Sequence, residues 1–285
     1  MVQRDRQDEA LGVIRRLLRG EERFSYESDW FTLKDARLQL LPLQDNLPFA
    51  VASIISPSGM TLAGKHGTGV LSIGSMSSEG LNALPTQWSF AEESAALHGN
   101  TVDRRDWRVV MSWHIAETRE KAYAEAQEGL FHWHNEYVVG TLMRPGAEAF
   151  SDPDDAVEKT AKTENTAAVI GTPDDLVAAI HRMVDLTGGF GTVIGFVHDW
   201  ANRENTLRSW DLVARYVVPE VNGLLAAYRE SRHHVVEHRE SFQRANEAVL
   251  AKIHQNERAA EALQLTTNGR FAIPAHQAPD MEKAT

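Results

Sequence analysis

Residues 170–223, IGTPDDLVAAIHRMVDLTGGFGTVIGFVHDWANRENTLRSWDLVARYVVPEVNG, constrain the fold more than any other part of the chain. They read as a helix, a turn, a fully apolar strand, a polar loop and a second helix. Thr172-Pro173-Asp174-Asp175 opens the first helix, with proline in the first turn and two carboxylates against its positive end. GTVIGFV, residues 191–197, carries no charge, as expected of a strand covered on both faces. The helix at 205–218 completes a β/α unit, the building block of a parallel sheet.

The remaining apolar runs repeat this alternation. PFAVASII (48–55), GVLSIG (69–74) and WRVVMSWHI (107–115) are expected as three further strands. Helices are expected at MTLAGKHG, closed by Gly67, at 86–98, and at 119–139 with Thr118 as N-cap. Ahead of them, 8–19 sets Ala10, Leu11, Ile14, Leu17 and Leu18 on one helical face, and 24–41 reads as short extended segments. Residues 144–166 form a polar insertion with its own cap at Asp152-Pro153-Asp154-Asp155. Residues 220–262 read as one long charged helix. Four strands alternating with helices call for a parallel α/β architecture. The pattern alone leaves both an open doubly wound sheet and a barrel in play.

Composition excludes several classes of function. The chain has 285 residues, 42% of them hydrophobic, and a formal charge of −11, which argues against nucleic acid or an anionic membrane as partner. It has no cysteine, so disulfides, thiolate metal sites and cysteine nucleophiles are ruled out. That fits a cytoplasmic location. No apolar run approaches the roughly 18 residues of a membrane span. Neither a G-x-G-x-x-G fingerprint, nor a P-loop, nor a G-x-S-x-G elbow is present, so no dinucleotide site, nucleoside triphosphate site or serine-hydrolase elbow is expected.

Four segments, in order, carry a family resemblance: EALGVIRRLLRGEE, PFAVASIISPSGMTLAGKHGTGVLSIG, WRVVMSWHIAETREKAYAEA and the 170–223 stretch. Together they resemble the bacterial-luciferase-like flavin monooxygenases, particularly the limonene 1,2-monooxygenase subgroup. The resemblance implies a luciferase-like (β/α)8 TIM barrel, represented here by its C-terminal half, strands five to eight. The domain expectation is a barrel part at 1–223, a helical extension at 224–263 and a disordered tail at 264–285. The implied chemistry uses reduced FMN, supplied by a separate flavin reductase, and O2 to oxygenate a small apolar organic substrate. The family implies a homodimer paired through outer helices. Two other readings stay open: a deazaflavin-dependent oxidoreductase on the same fold, and a non-catalytic remnant or partner subunit.

The resemblance places the FMN phosphate at Ser56, Ser58 and Gly59, with Thr61 a weaker addition. By itself S-P-S-G is also an ordinary turn and helix cap. His114 falls at the C-terminal end of its strand, the end where barrel enzymes keep their chemistry. It is a candidate acid or hydrogen-bond donor, with strand capping as the alternative, and Trp113 should face the other way. Trp200 and His198 end the next strand and are candidates for the flavin or substrate pocket. His198 and Asp199 are sequence neighbours whose side chains should diverge, which disfavours a dyad. His132, His134 and the His234/His238 pair resemble metal ligands but fall on outer helices with no third ligand, so no metal is expected. Met76, Leu81, Leu84 and Trp88 suit either an apolar lid or plain packing.

Overall fold

The computed structural model describes residues 2–44, 47–73, 78–144, 146–161, 168–259 and 261–262. The chain divides into two compact units, residues 1–222 and 223–285.

The first unit opens with helix α1 (Val2–Leu18) and an antiparallel hairpin, β1 (Phe24–Glu27) and β2 (Thr32–Ala36). A parallel sheet with helices between its strands follows: β3 (Ala50–Ser53), α2 (Ser58–His66), β4 (Gly69–Ser72), α3 (Ser78–Leu97), β5 (Trp107–Ile115) and α4 (Arg119–His132). A π-helical continuation, Trp133–Thr141, then leads to α5 (Pro153–Ala161), β6 (Ala168–Gly171), α6 (Pro173–Thr187) and β7 (Thr192–Phe196). Helix α7 (Arg203–Leu212) runs through a π-helical turn, Val213–Val217, into the short α8 (Val218–Val221). Strand β3 pairs with β4, β4 with β5, and β5 with both β6 and β7, every pair parallel.

The expected strands all form, and the run 107–115 becomes β5 without a change of boundary. Strand β6 was not anticipated. It is only four residues long and sits directly before the Thr172 cap, too short for a periodic signal. Helix α3 starts earlier than the expected residue 86, at Ser78, and carries Pro85 inside it. On α1 the buried residue is Val13, whereas Ile14, assigned to the core face, is exposed. Leu11 of the expected face does pack against the core.

The core is built around β5. Val109, Met111 and Ile115 pack with Val51, Val70, Leu84 and Leu176. The Trp107 and Trp88 rings stack with centroids 5.1 Å apart, and Trp107 Nε1 donates to Ser72 Oγ at 2.9 Å. Arg104 lies over both rings and donates to the Thr187 and Gly189 carbonyls. Leu81, Leu84 and Trp88 are buried in this core, so they serve packing; Met76 lies outside the described residues. A smaller cluster under α4 joins Ala122, Ala126, Leu130, Val157, Ile170 and Trp200.

Helix α6 shows how local chemistry fixes an element. Thr172 accepts from the Asp175 N–H, and Asp175 Oδ2 accepts from the Thr172 N–H at 2.9 Å, a reciprocal capping box. Arg119 grips the same carboxylate, which holds Asp175 down at about 2.

In the second unit the expected long helix is two helices, α9 (Ala226–Glu237) and α10 (Arg239–His254). Gly223 adopts φ +66°, a turn that starts the helix anew, and His238 leaves helical geometry at φ −101°, ψ 20°. Neither helix buries a residue. The tail expected at 264–285 lies outside the described residues.

Candidate functional site

In a parallel sheet every strand ends at the same edge, so one rim collects the loops that follow β3, β5 and β7. Two features lie on that rim, one after β3 and one after β7.

The first is the 56–59 turn. Ser56 Oγ and Ser58 Oγ are 2.7 Å apart and share a hydrogen bond in an exposed position. Ser58 begins α2, whose N-cap is Pro57. No side chain caps this helix and no acid occupies its first turn, so its positive end is open to an anion. A Cβ on Gly59 would meet the Ala52 carbonyl oxygen at 2.8 Å and Ser53 Cβ at 2.9 Å, so only glycine lets α2 sit this close to β3. Gln87 of α3 steadies the approach to the turn, its Nε2 donating to the Ile54 and Ile55 carbonyls at 3.0 and 2.9 Å. Ser53 Oγ and Gln87 Oε1 are buried with no partner among the described residues.

The second feature is an aromatic stack after β7. The His198 and Trp200 rings are parallel within 9°, with centroids 4.6 Å apart. Trp133 lies against His198 at 4.3 Å and Phe196 at 4.7 Å. His198 Nε2 shares a hydrogen bond with Ser112 Oγ of β5 at 2.8 Å. Desolvation in this stack pushes the imidazole down to about 4, despite the charge of Asp199, so the ring is neutral near pH 7. Trp200 is buried, and its indole N–H has no partner among the described residues. The loop carrying it presses onto α4 at Gly129, where a Cβ would meet the Asp199 and Trp200 carbonyl oxygens at 2.4 Å.

His114 has a different environment. It is buried, and its Nε2 lies 2.9 Å from Glu125 Oε2 of α4. The other Glu125 oxygen takes Arg208 of α7. This three-residue hydrogen-bond network ties β5 to two helices. Trp113 turns the other way, as expected, packing on Trp210 at 4.9 Å.

The structure thus groups His198 and Trp200, as the sequence suggested, and adds Trp133 and Ser112. Ser112 is one of three buried serines in the described strands, with Ser53 and Ser72, and nothing in its local sequence marks it. Trp133 lay inside the H-W-H run, where its histidines drew attention to metal binding. Those histidines pair locally instead, His132 with Glu136 and His134 with the Glu148 carbonyl. Among the described residues no group of three or more His, Cys, Asp or Glu can hold a metal. No described helix is long and apolar enough to cross a membrane.

A model of the luciferase-like monooxygenases matches residues 2–188. The chain is 41% identical over 227 residues to 4-hydroxyprotoasukamycin monooxygenase of Streptomyces nodosus subsp. asukaensis, covering 78% of this chain and 60% of that protein. It is 39% identical over 220 residues to limonene 1,2-monooxygenase of Rhodococcus erythropolis, covering 77% and 55%. The chain therefore spans somewhat more than half the length of these relatives. Among solved structures, a monooxygenase from Streptomyces bottropensis superposes with a TM-score of 0.58 at 22% identity, over 76% of this chain and 61% of that one. The oxygenating constituent of 3,6-diketocamphane monooxygenase from Pseudomonas putida, in complex with FMN, gives 0.55 at 24% identity, over 75% and 62%. Both structural likenesses concern the fold.

Proposed function

Because the chain belongs to the luciferase-like monooxygenase family, we propose that its rim is the C-terminal part of an FMN-dependent oxygenation site for a small apolar organic substrate. The observation that carries this reading is the shared rim: an uncapped helix end bearing two serine hydroxyls, and a partly buried aromatic stack, at the same end of one parallel sheet. The residues present fit the cofactor. A phosphate dianion suits the Ser56 and Ser58 hydroxyls and the open N-terminus of α2, and Gly59 keeps that helix in place. A planar ring suits the Trp133, His198 and Trp200 surfaces.

Reduced FMN, supplied by a separate reductase, brings the electrons by which O2 becomes able to oxygenate the substrate. The chain's own residues do the rest. His198, neutral and oriented by Ser112, offers one hydrogen-bonding nitrogen at a fixed position. Trp200 and Trp133 wall off water, so that activated oxygen meets substrate rather than solvent. His114, committed to Glu125, acts as a positioning residue that locks β5 to α4 and α7.

The test is a titration of the 285-residue protein with FMN, followed by flavin fluorescence and calorimetry, alongside Ser58→Ala and a deazaflavin competitor. Saturable FMN binding that weakens in Ser58→Ala supports the reading. Preference for the deazaflavin moves the chain to the hydride-transfer reading, and binding of neither cofactor overturns the site.

A further inference from the structure

Helix α3 is held onto α2 through one of its faces. A Cβ on Gly64 of α2 would run into the Ala91 carbonyl and the Ala95 nitrogen, so the bare glycine lets the two backbones touch. Across the same seam Ser94 Oγ donates to the Thr61 carbonyl at 2.7 Å. Gln87 lies on this face, one turn before Ala91 and two before Ser94. The seam thus sets the height of Gln87 beside the segment that leaves β3 for α2. Its side chain is buried, and its Nε2 donates to two consecutive carbonyls, Ile54 at 3.0 Å and Ile55 at 2.9 Å. Both hydrogens of the amide are used in this way.

That pairing fixes two peptide planes. The Ile54 carbonyl shares its plane with the Ile55 N–H, and the Ile55 carbonyl with the Ser56 N–H. In a trans peptide the two groups point in opposite directions, and no described peptide bond is cis. With both carbonyls turned toward the buried amide, the Ile55 and Ser56 N–H groups turn outward, to the exposed side of the turn. Among the described residues neither has an acceptor, and neither do the Ser58, Gly59 and Met60 N–H groups at the start of α2. Successive free N–H groups around a turn form a concave surface for an anion. Residues 48–64 contain no charged side chain, so this segment offers an anion only dipoles and hydroxyls, and their aim decides how well it is held. The same amide leaves an acceptor stranded, since Gln87 Oε1 is buried with no partner among the described residues. A methionine would fill the space without an orphan oxygen, so packing does not account for glutamine here. The two carbonyls do.

We propose that Gln87 is the positioning residue of the anion turn: by holding the Ile54 and Ile55 carbonyls, it aims the Ile55 and Ser56 N–H groups at the terminal phosphate of the cofactor. The identity of the ligand, a phosphate monoester, rests on the FMN reading, whereas the positioning role rests on the hydrogen bonds of Gln87. The glutamine acts through the backbone and does not itself touch the phosphate. Its influence therefore falls on the phosphate end of the cofactor alone, which separates it from a residue that only supports the fold.

Comparing FMN with riboflavin, which lacks only the phosphate, reads that influence. In calorimetric titrations of the 285-residue protein, Gln87→Met is expected to weaken FMN binding about tenfold and to leave riboflavin binding unchanged. Equal losses for the two flavins reduce Gln87 to a packing role, and an unchanged FMN affinity leaves it no role; either result overturns the proposal. Inorganic phosphate tests the turn without the ring. The Ile55 and Ser56 amide resonances of the parent are expected to shift as phosphate is added, and to stay in place in Gln87→Met. Parent amides that ignore phosphate overturn the proposal even where the variant fails to fold. A phosphate shift that is lost in the variant, with neither flavin bound by the parent, supports the positioning role and overturns the cofactor reading.

Discussion

Ser112 Oγ and His198 Nε2, 2.8 Å apart, join β5 to the loop leaving β7. The pair lies beneath an aromatic stack that withholds water from the imidazole, and this combination of one fixed partner and poor solvation keeps His198 neutral.

A pH dependence follows. The native imidazole protonates only near pH 4, against 6.5 for an unperturbed histidine. Between those values the unfolded chain takes up a proton that the folded one refuses, so folded-state stability falls as pH drops through the window and is fully retained above it. Thermal unfolding from pH 7 to 4 is expected to show a steeper decline in Tm for the parent than for His198→Gln. Parallel curves would mean that the stack does not desolvate the ring.

The Glu125 carboxylate takes the Arg208 guanidinium on one oxygen and shares a hydrogen bond with His114 on the other. In Glu125→Ala, Arg208 loses its main partner and His114 loses its acceptor in a largely buried setting. Breaking such a network costs about 3 kcal/mol, a drop in Tm of several degrees by calorimetry. Glu125→Gln, which retains hydrogen bonds but no charge, should lie between the two. A His114 that acted directly on substrate would instead cost activity without moving Tm.

Asp175 anchors one end of α6 through Thr172 and Arg119. Asp175→Ala removes the capping box and should destabilise the protein by about 1–2 kcal/mol, measurable by urea unfolding. The contribution of the carboxylate persists above the ordinary aspartate range and is lost as pH falls toward 2.

Gly129 and Trp200 form a fourth test. Gly129→Ala drives a methyl group into the 199–200 backbone and should cost about 1–3 kcal/mol. The same variant should weaken FMN binding with little change in protein mass or oligomeric state. Ser58→Ala should weaken it about tenfold, the worth of one hydrogen bond to a charged group. Calorimetric titration separates the two, since only the glycine variant also loses stability.

Where the sequence spoke through short-range rules, it was readable. The T-P-D-D cap, the Gly67 stop and the nine-residue run 107–115 each encode their structure within a few positions. Strand β6 escaped because four residues cannot show a period, and the break at His238 because no proline or glycine marks it. The candidate site was partly legible: strand ends pointed to His198 and Trp200, and the family resemblance to the 56–59 turn. Trp133, Ser112, Glu125 and Arg208 were not, since their roles come from contacts across 11 to 86 positions of chain, which local patterns do not carry.

Strand β5 pairs with β4, β6 and β7 and supplies much of the core. In hydrogen exchange its amides can open only when several neighbours have left, whereas the outer strands can fray alone. Deuterium should therefore reach β3 and β7 early and the middle of β5 last, at the rate of global unfolding. The rim inherits that gradient: Ser112 belongs to the slow centre, while Ser58 and His198 follow strands that loosen first. One rim would thus combine a rigid centre at Ser112 with outer loops that open more readily.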